Sequence, residues 1–103
     1  MNPHLARWDA LLRLHDAATS IGGLELWLFG SALRVEDPRD IDVLIIYTDA
    51  GALRRLVAAD YWELSTPPID LIAMMPDEVA ELQFLHVTLA ERVSSAEPLR
   101  TND

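Results

Sequence analysis

The sequence of 103 residues has no cysteine, no lysine and only four glycines, and it contains no long apolar run. Because cysteine is absent, disulfide bonds, thiolate-bound zinc and thiol chemistry are excluded. The longest apolar run, Val43–Tyr47, has the length of a strand and is far shorter than a membrane-spanning helix. Charged residues near the N-terminus do not resemble a signal peptide, so we expect a cytoplasmic protein without membrane contact.

The charge of the chain is strongly acidic, with 17 aspartates and glutamates against 8 arginines and a formal net charge of −9. Such a charge repels a polyanion, which argues against free-standing binding to DNA or RNA. Hydrophobic residues make up 50% of the chain and charged residues 24%, a composition typical of globular proteins. At this length we expect a single domain over residues 1–103, with 93–103 forming a frayed tail.

The hydrophobic periodicity, together with capping and turn residues, predicts the element order α, β, β, α, β, α. The first predicted helix covers about residues 3–19 and is capped by Asn2, and the second covers about residues 50–60. The last predicted helix starts at Pro76 and has one apolar stripe from Val79 to Val93. The predicted strands are residues 24–29, 40–47 and 69–74. This order predicts an α/β (α+β) fold in which helices flank a small mixed β-sheet.

Two of the predicted strands carry aspartates, although carboxylates are disfavoured in strands and costly when buried without a partner. Asp40 and Asp42 are two residues apart, so an extended backbone directs both side chains to the same face. Asp70 interrupts an apolar strand and joins them if the two strands are neighbours. Three such carboxylates offer the oxygen ligands that Mg²⁺ or Mn²⁺ prefers, and they can hold two ions for phosphoryl or nucleotidyl displacement.

A third element is the pair Gly30-Ser31, which follows the first predicted strand. Glycine lets a phosphate approach the backbone closely, and a serine hydroxyl with free N–H groups can bind phosphate oxygens. A Gly-Ser pair alone is common in turns. Followed by Asp40 and Asp42, and combined with Asp70, it indicates a site for a nucleotide and its metal ions.

The residues Leu28-Phe-Gly-Ser31 and Asp40-Ile-Asp-Val43 resemble the signature of the DNA polymerase β nucleotidyltransferase superfamily. The short chain is most similar to the minimal nucleotidyltransferases (MNT), and the motifs cover about residues 24–75. This resemblance implies a polymerase β-like core. It also implies magnesium-dependent transfer of a nucleoside monophosphate from a nucleoside triphosphate, here ATP, to an acceptor.

The same resemblance implies a role for each residue of the motifs. Gly30 and Ser31 would hold the β and γ phosphates, and Arg34, which matches the arginine of the family motif, would also bind the nucleotide. Asp40 and Asp42 would hold both metal ions. Asp70 would complete the site of the catalytic ion and accept the proton of the acceptor hydroxyl.

The sequence departs from the family pattern between the serine and the first aspartate. The connection between Ser31 and Asp40 is shorter than is usual in the family, and Val35 replaces the glycine that follows the motif's arginine. A shorter connection changes how a nucleotide is positioned, so this departure bears on activity more than on the fold.

The usual setting of MNT proteins is a bacterial toxin–antitoxin pair. The resemblance therefore implies an antitoxin that opposes a HEPN-type toxin, a ribonuclease, in some systems by adenylylating it. Two alternatives stay open: a non-catalytic, antitoxin-like binding module that acts by stoichiometric contact, and the nucleotidyltransferase subunit of a small-molecule (antibiotic) modifying enzyme. The acceptor, the nucleotide and the oligomeric state are left open as well.

Ordinary structural roles compete with these functional ones. Asp40 and Asp42 are also explained as a solvated pair on an edge strand, partnered by Arg34 or Arg39. His15 lies near the apolar face of the first predicted helix without any ligand spacing, so we interpret it as a histidine at the edge of the core.

Overall fold

The computed structural model of the protein describes residues 2–59 and 66–93. The strands within these ranges are β1 (Leu24–Phe29), β2 (Ile41–Tyr47), β3 (Ile69–Met74) and β4 (Glu91–Arg92). The α-helices are α1 (Asp9–Ile21), α2 (Ala50–Ala59), α3 (Pro76–Leu82) and α4 (Phe84–Thr88), and two 3₁₀ helices cover Pro3–Ala6 and Gly30–Leu33. The predicted mixed sheet flanked by helices is confirmed. The end of the second predicted helix and the tail after residue 93 lie outside the described residues.

The described strands form one sheet in the order β3-β2-β1-β4. β1 runs antiparallel to both β2 and β4, whereas β2 and β3 are parallel. The chain crosses over between these parallel strands through a connection that contains α2, as parallel pairing requires. β2 is therefore a central strand, which explains why its sequence is a nearly continuous run of β-branched and apolar residues.

The sheet has two differently covered faces, because successive side chains of a strand point to opposite sides. On the α1/α2 face, Ile41, Val43 and Ile45 of β2 belong to a cluster of twelve buried residues that α1 and α2 help to form. On the α3/α4 face, Leu44 and Ile46 form a cluster with Val79 of α3 as the one further buried member. Most of the buried core thus lies on the α1/α2 face. No helix within the described part of the chain is long and apolar enough to cross a membrane.

The first helix differs from the prediction of one element over residues 3–19. The Asn2 cap is confirmed, since its side-chain oxygen accepts a hydrogen bond from the His4 N–H at 2.8 Å. The 3₁₀ helix then ends, and Trp8 adopts an extended conformation before α1 begins. The break is a tertiary effect, because it accompanies burial of Leu5 in the core and bonding of Arg7 to a distant loop.

The last predicted helix is also wrong as a single element. Gln83 and Leu89 adopt left-handed backbone conformations, with φ of 51° and 55°, so the helix is divided into α3 and α4 and then stops. The apolar stripe is correspondingly broken: Val79 is buried, whereas Leu82 and Leu89 are exposed.

Packing against the sheet explains why the helix is interrupted at Gln83 and ends before Leu89. The ring of Phe84, the first residue of α4, packs edge-on against Phe29 of β1 with centroids 5.1 Å apart. Farther on, β4 pairs with β1, and the Val93 N–H donates a hydrogen bond to the Leu26 carbonyl at 2.9 Å. Because β4 has two residues, it leaves no alternating pattern by which the sequence could reveal it.

Candidate metal centre

The parallel pairing of β2 and β3 brings the predicted carboxylates together. The register places Asp42 directly opposite Asp70, so both side chains project from the α3/α4 face. Asp40 immediately precedes β2 and lies on the same side of the chain as Asp42. Carboxylate oxygens of the three residues all lie within 4.8 Å of one another. We call this cluster of Asp40, Asp42 and Asp70 the acidic triad.

The electrostatics of the triad are dominated by like charges at close range. Asp40 and Asp42 are half-buried, whereas Asp70 is exposed and keeps the cluster open to solvent. Burial raises the pKa of Asp42, and the neighbouring charges of Asp40 and Asp70 raise this pKa further. The guanidinium of Arg34 acts in the opposite direction, but the net shift is upward.

The donor chemistry of the triad fits a divalent cation. Three carboxylates provide hard oxygen ligands, and the exposure of Asp70 leaves them accessible from solvent. A bound cation would also offset the repulsion that raises the pKa of Asp42. Mg²⁺ or Mn²⁺ therefore suits this cluster by ligand type and by charge.

Gly30 follows the last residue of β1 and lies directly against Asp42 of the triad. Its φ of 76° is in the left-handed region that favours glycine. A Cβ atom at this position would collide with the Oδ2 atom of Asp42 and lie 3.2 Å from its Cγ atom. The absence of a side chain therefore lets the backbone pass directly against the triad.

Ser31 and Arg34 occupy the turn that follows this glycine. The Ser31 carbonyl accepts hydrogen bonds from the Arg34 and Val35 N–H groups, both at 2.9 Å, which closes the turn. Arg34 is exposed, and its charge is felt at Asp42. The structure thus brings all six residues singled out from the sequence into one region, at the end of β1 and the start of β2 and β3.

The alternative explanation of the aspartates as an edge-strand ion pair is not supported. β2 is flanked on both sides by other strands, so it is not an edge. In the described ranges, neither Arg34 nor Arg39 forms an ion pair with Asp40 or Asp42 within 4.0 Å. Arg34 therefore offsets the repulsion within the triad only in part, through its charge and without an ion pair.

The sequence did not reveal a role for Arg7, whose side chain binds the loop that follows Ser31. Its guanidinium donates hydrogen bonds to three backbone carbonyls of the loop after Ser31, those of Ala32 (2.6 Å), Val35 (2.8 Å) and Glu36 (3.1 Å). No signal in the sequence could have revealed these contacts, since every residue has a carbonyl and 25 or more positions separate the partners.

His15 occupies the edge of the core, in agreement with its interpretation from the sequence. It is buried in α1, where its Nδ1 atom lies 3.2 Å from a carboxylate oxygen of Asp16. Its Nε2 atom is buried without a hydrogen-bond partner among the described residues. It is not a member of the triad, and we assign it no functional role.

Comparison with known proteins provides no family assignment, because no protein-family model, no curated protein and no solved structure matches the chain. The resemblance to the MNT family therefore depends on the motif residues themselves.

Proposed function

We propose that this protein is a metal-dependent nucleotidyltransferase of the MNT type that transfers AMP from ATP to an acceptor hydroxyl. The observation that carries the proposal is the acidic triad, formed by two neighbouring parallel strands beside a glycine with positive φ. Asp40, Asp42 and Asp70 would hold Mg²⁺ or Mn²⁺. Such ions, when bound, neutralise the charge of a triphosphate and activate the attacking oxygen.

The proposed reaction is a displacement at phosphorus. The acceptor oxygen forms a bond to the α-phosphorus, while the bond from this phosphorus to the oxygen bridging to the β-phosphate breaks. Pyrophosphate leaves with the electron pair of that bond, and the proton of the acceptor hydroxyl passes to Asp70, the exposed member of the triad. Gly30 and Ser31 would hold the β and γ phosphates, and Arg34 would add positive charge beside them.

We propose a protein as the acceptor, specifically a HEPN-type toxin for which this chain is the antitoxin. The acidic balance of the chain supports a protein over a nucleic acid, because a net charge of −9 repels polyanions and attracts basic protein surfaces. This assignment of the acceptor depends on the resemblance of the motifs, whereas the triad supports the chemistry of transfer.

A labelling experiment tests the proposed transfer. The purified protein is incubated with α-labelled ATP, Mg²⁺ and a lysate of the source organism, and the products are separated on a denaturing gel. We expect label in a discrete protein band with the wild type. Asp42→Asn should reduce the label by about 100-fold or more, the size of loss seen when one preorganised electrostatic group is removed.

The matched control is Asp77→Asn, which removes the same charge from the exposed first turn of α3, outside the triad. It should label the band as the wild type does. Equal labelling by Asp42→Asn and wild type would contradict the proposed role of the triad. A labelled band that is degraded by ribonuclease instead of protease would contradict the protein acceptor.

A second candidate function is stoichiometric binding of a partner without catalysis. It is favoured by exposed apolar side chains around α3 and α4, namely Leu82 (58% exposed), Val87 (71%) and Leu89 (77%). In this case Asp42→Asn would neutralise a purified partner toxin as well as the wild type does. The labelling experiment and this neutralisation experiment together separate the two functions.

A further inference from the structure

Arg7 connects the beginning of the chain to the loop that carries the proposed nucleotide-binding residues. It ends the 3₁₀ helix Pro3–Ala6, and its side chain reaches the loop that follows Ser31. We call residues 32–36 of this loop the 32–36 segment. The segment contains Arg34, the cation whose charge acts on Asp42.

The contacts of Arg7 fix the backbone of the 32–36 segment rather than its side chains. All three acceptors on the segment are main-chain carbonyl oxygens, and they come from both of its ends: Ala32 on one side, Val35 and Glu36 on the other. A guanidinium has five donors in a rigid plane and can satisfy several carbonyls at once. A lysine ammonium is a point charge on a flexible stem and cannot reproduce this arrangement.

Arg7 is itself held in place by its own neighbours. Its guanidinium carbon lies 4.1 Å from the centroid of the Trp8 ring, a cation–π contact. Its Nη1 atom also donates a hydrogen bond to Nδ1 of His4 at 3.0 Å. These contacts restrict the side chain in the position from which it binds the 32–36 segment.

We propose that Arg7 is a positioning residue for the nucleotide, acting through the 32–36 segment. By holding the carbonyls on both sides of Arg34, it keeps the Arg34 backbone in the turn closed by the Ser31 carbonyl. Arg34 then stays beside the triad, where the phosphates of a nucleotide would lie. This inference depends on the proposed function, because it assigns Arg7 to the recognition of a triphosphate by that same site.

The test separates nucleotide binding from metal binding. Arg7→Gln, Arg7→Lys and wild type are compared for affinity toward Mn²⁺ alone, by electron paramagnetic resonance, and toward ATP with saturating Mn²⁺, by calorimetry. We expect both variants to bind ATP at least about 10-fold more weakly, since a lysine is not conservative where a planar fork is used. Their affinity for Mn²⁺ should stay within about threefold of the wild type, because the triad is untouched.

Two further measurements make this result specific. Arg13→Gln is the matched control, since Arg13 is an exposed arginine that pairs with Asp9 on α1 at 2.8 Å, and it should leave both affinities unchanged. Methylguanidinium added to Arg7→Ala should restore part of the ATP affinity. If Arg7→Gln does not unfold cooperatively in urea, Arg7→Lys decides the test.

Three outcomes would count against these ideas in distinguishable ways. Wild-type affinity for ATP in a folded Arg7→Lys protein would overturn the positioning role alone. Equal losses of Mn²⁺ and ATP affinity would also overturn it, since Arg7 would then only sustain the fold. A wild-type protein that binds Mn²⁺ and no ATP would overturn the proposed function, and the role of Arg7 with it.

Discussion

The two faces of the sheet differ in what β2 contributes to each of them. On the α1/α2 face, Ile41, Val43 and Ile45 of β2 are completely or almost completely buried within the larger cluster. On the α3/α4 face, the same strand presents Asp42, whose pKa is raised by burial and by its acidic neighbours. On the α1/α2 side β2 thus presents buried apolar residues, whereas on the α3/α4 side the buried Leu44 and Ile46 accompany a carboxylate that is held at a cost in stability.

The same contrast separates β2 from β3. Ile45 of β2 points to the α1/α2 face and is 1% exposed, whereas Ile72 of β3 points to the α3/α4 face and is 40% exposed. Identical side chains in neighbouring strands thus occur in opposite environments. This pair offers a direct way to compare the stability contributed by a fully covered position of β2 with that of a partly exposed position of β3.

The largest effect is expected from truncating the buried member of this pair. Ile45→Ala should lower the free energy of unfolding by about 2–5 kcal/mol, through lost burial and an unfilled cavity. Ile72→Ala should lower it by about 1 kcal/mol, because much less of its surface is removed from water. Urea denaturation in EDTA measures both. Equal losses would show that Ile72 is covered in solution and would remove the contrast between the two strands.

An intermediate effect is expected from two glycines that have nearly the same positive φ and different surroundings. Gly23 and Gly30 have φ of 74° and 76°, but a Cβ at Gly23 meets nothing within 4 Å, whereas one at Gly30 collides with Asp42. Gly23→Ala should cost about 1–2 kcal/mol for left-handed strain alone. Gly30→Ala should cost about 1 kcal/mol more, since the carboxylate must move.

The affinity for Mn²⁺ is a second property in which Gly23→Ala and Gly30→Ala should differ. Gly30→Ala should weaken Mn²⁺ binding because it displaces a member of the triad, and Gly23→Ala should leave the affinity unchanged. If the two variants lose the same stability and retain the same Mn²⁺ affinity, the close approach of Gly30 to Asp42 is unimportant for the site.

The smallest effect concerns the charge of Asp42 in the metal-free protein. Because its pKa in the folded state is raised above the ordinary 3.8, the folded protein binds this proton more tightly than the unfolded chain does. The contribution of this proton to the free energy of unfolding is fully present at pH values below the ordinary pKa, and it is lost as the pH rises through the raised pKa of Asp42. In EDTA at pH 7, Asp42→Asn should therefore be more stable than wild type, by about 0.5–2 kcal/mol.

The pH dependence of this difference is the decisive readout. The stability difference between Asp42→Asn and wild type should grow as the pH is raised from about 4 to about 7, and urea midpoints at intervals of pH measure it. Asp77→Asn, with the same change in charge, is measured alongside as the control for net charge. A constant difference for Asp42→Asn would contradict a raised pKa.

Strands were the part of the fold that the sequence predicted best. The predicted bounds of β1 and β3 agree with the structure, and β2 begins one residue later than expected, at Ile41. These strands are short apolar runs between turn residues, which local patterns describe well. The triad was predictable for the same reason, since two residues of spacing fix a common face and an aspartate in an apolar strand stands out.

Tertiary contacts determined what the sequence could not predict. The break before α1, the division after Leu82 and the pairing of β4 all depend on contacts with β1 or with the 32–36 segment. Helical periodicity continues through these positions, but propensity is a weak determinant compared with packing. Arg7 was missed because its partners are backbone atoms far along the chain.

The contacts of Asn2 with β4 can form only late in the synthesis of the chain. The Asn2 side chain donates hydrogen bonds to the Glu91 carboxylate (3.0 Å) and to the Arg92 carbonyl (3.2 Å), 89 and 90 positions away. The segment that places Arg7 is thus anchored on β4. On a ribosome, where the N-terminal part of a chain emerges first, this anchor cannot close until Arg92 has been synthesised and released. A nascent chain therefore carries Asp40, Asp42 and Asp70 before the Asn2 contacts with β4 can form.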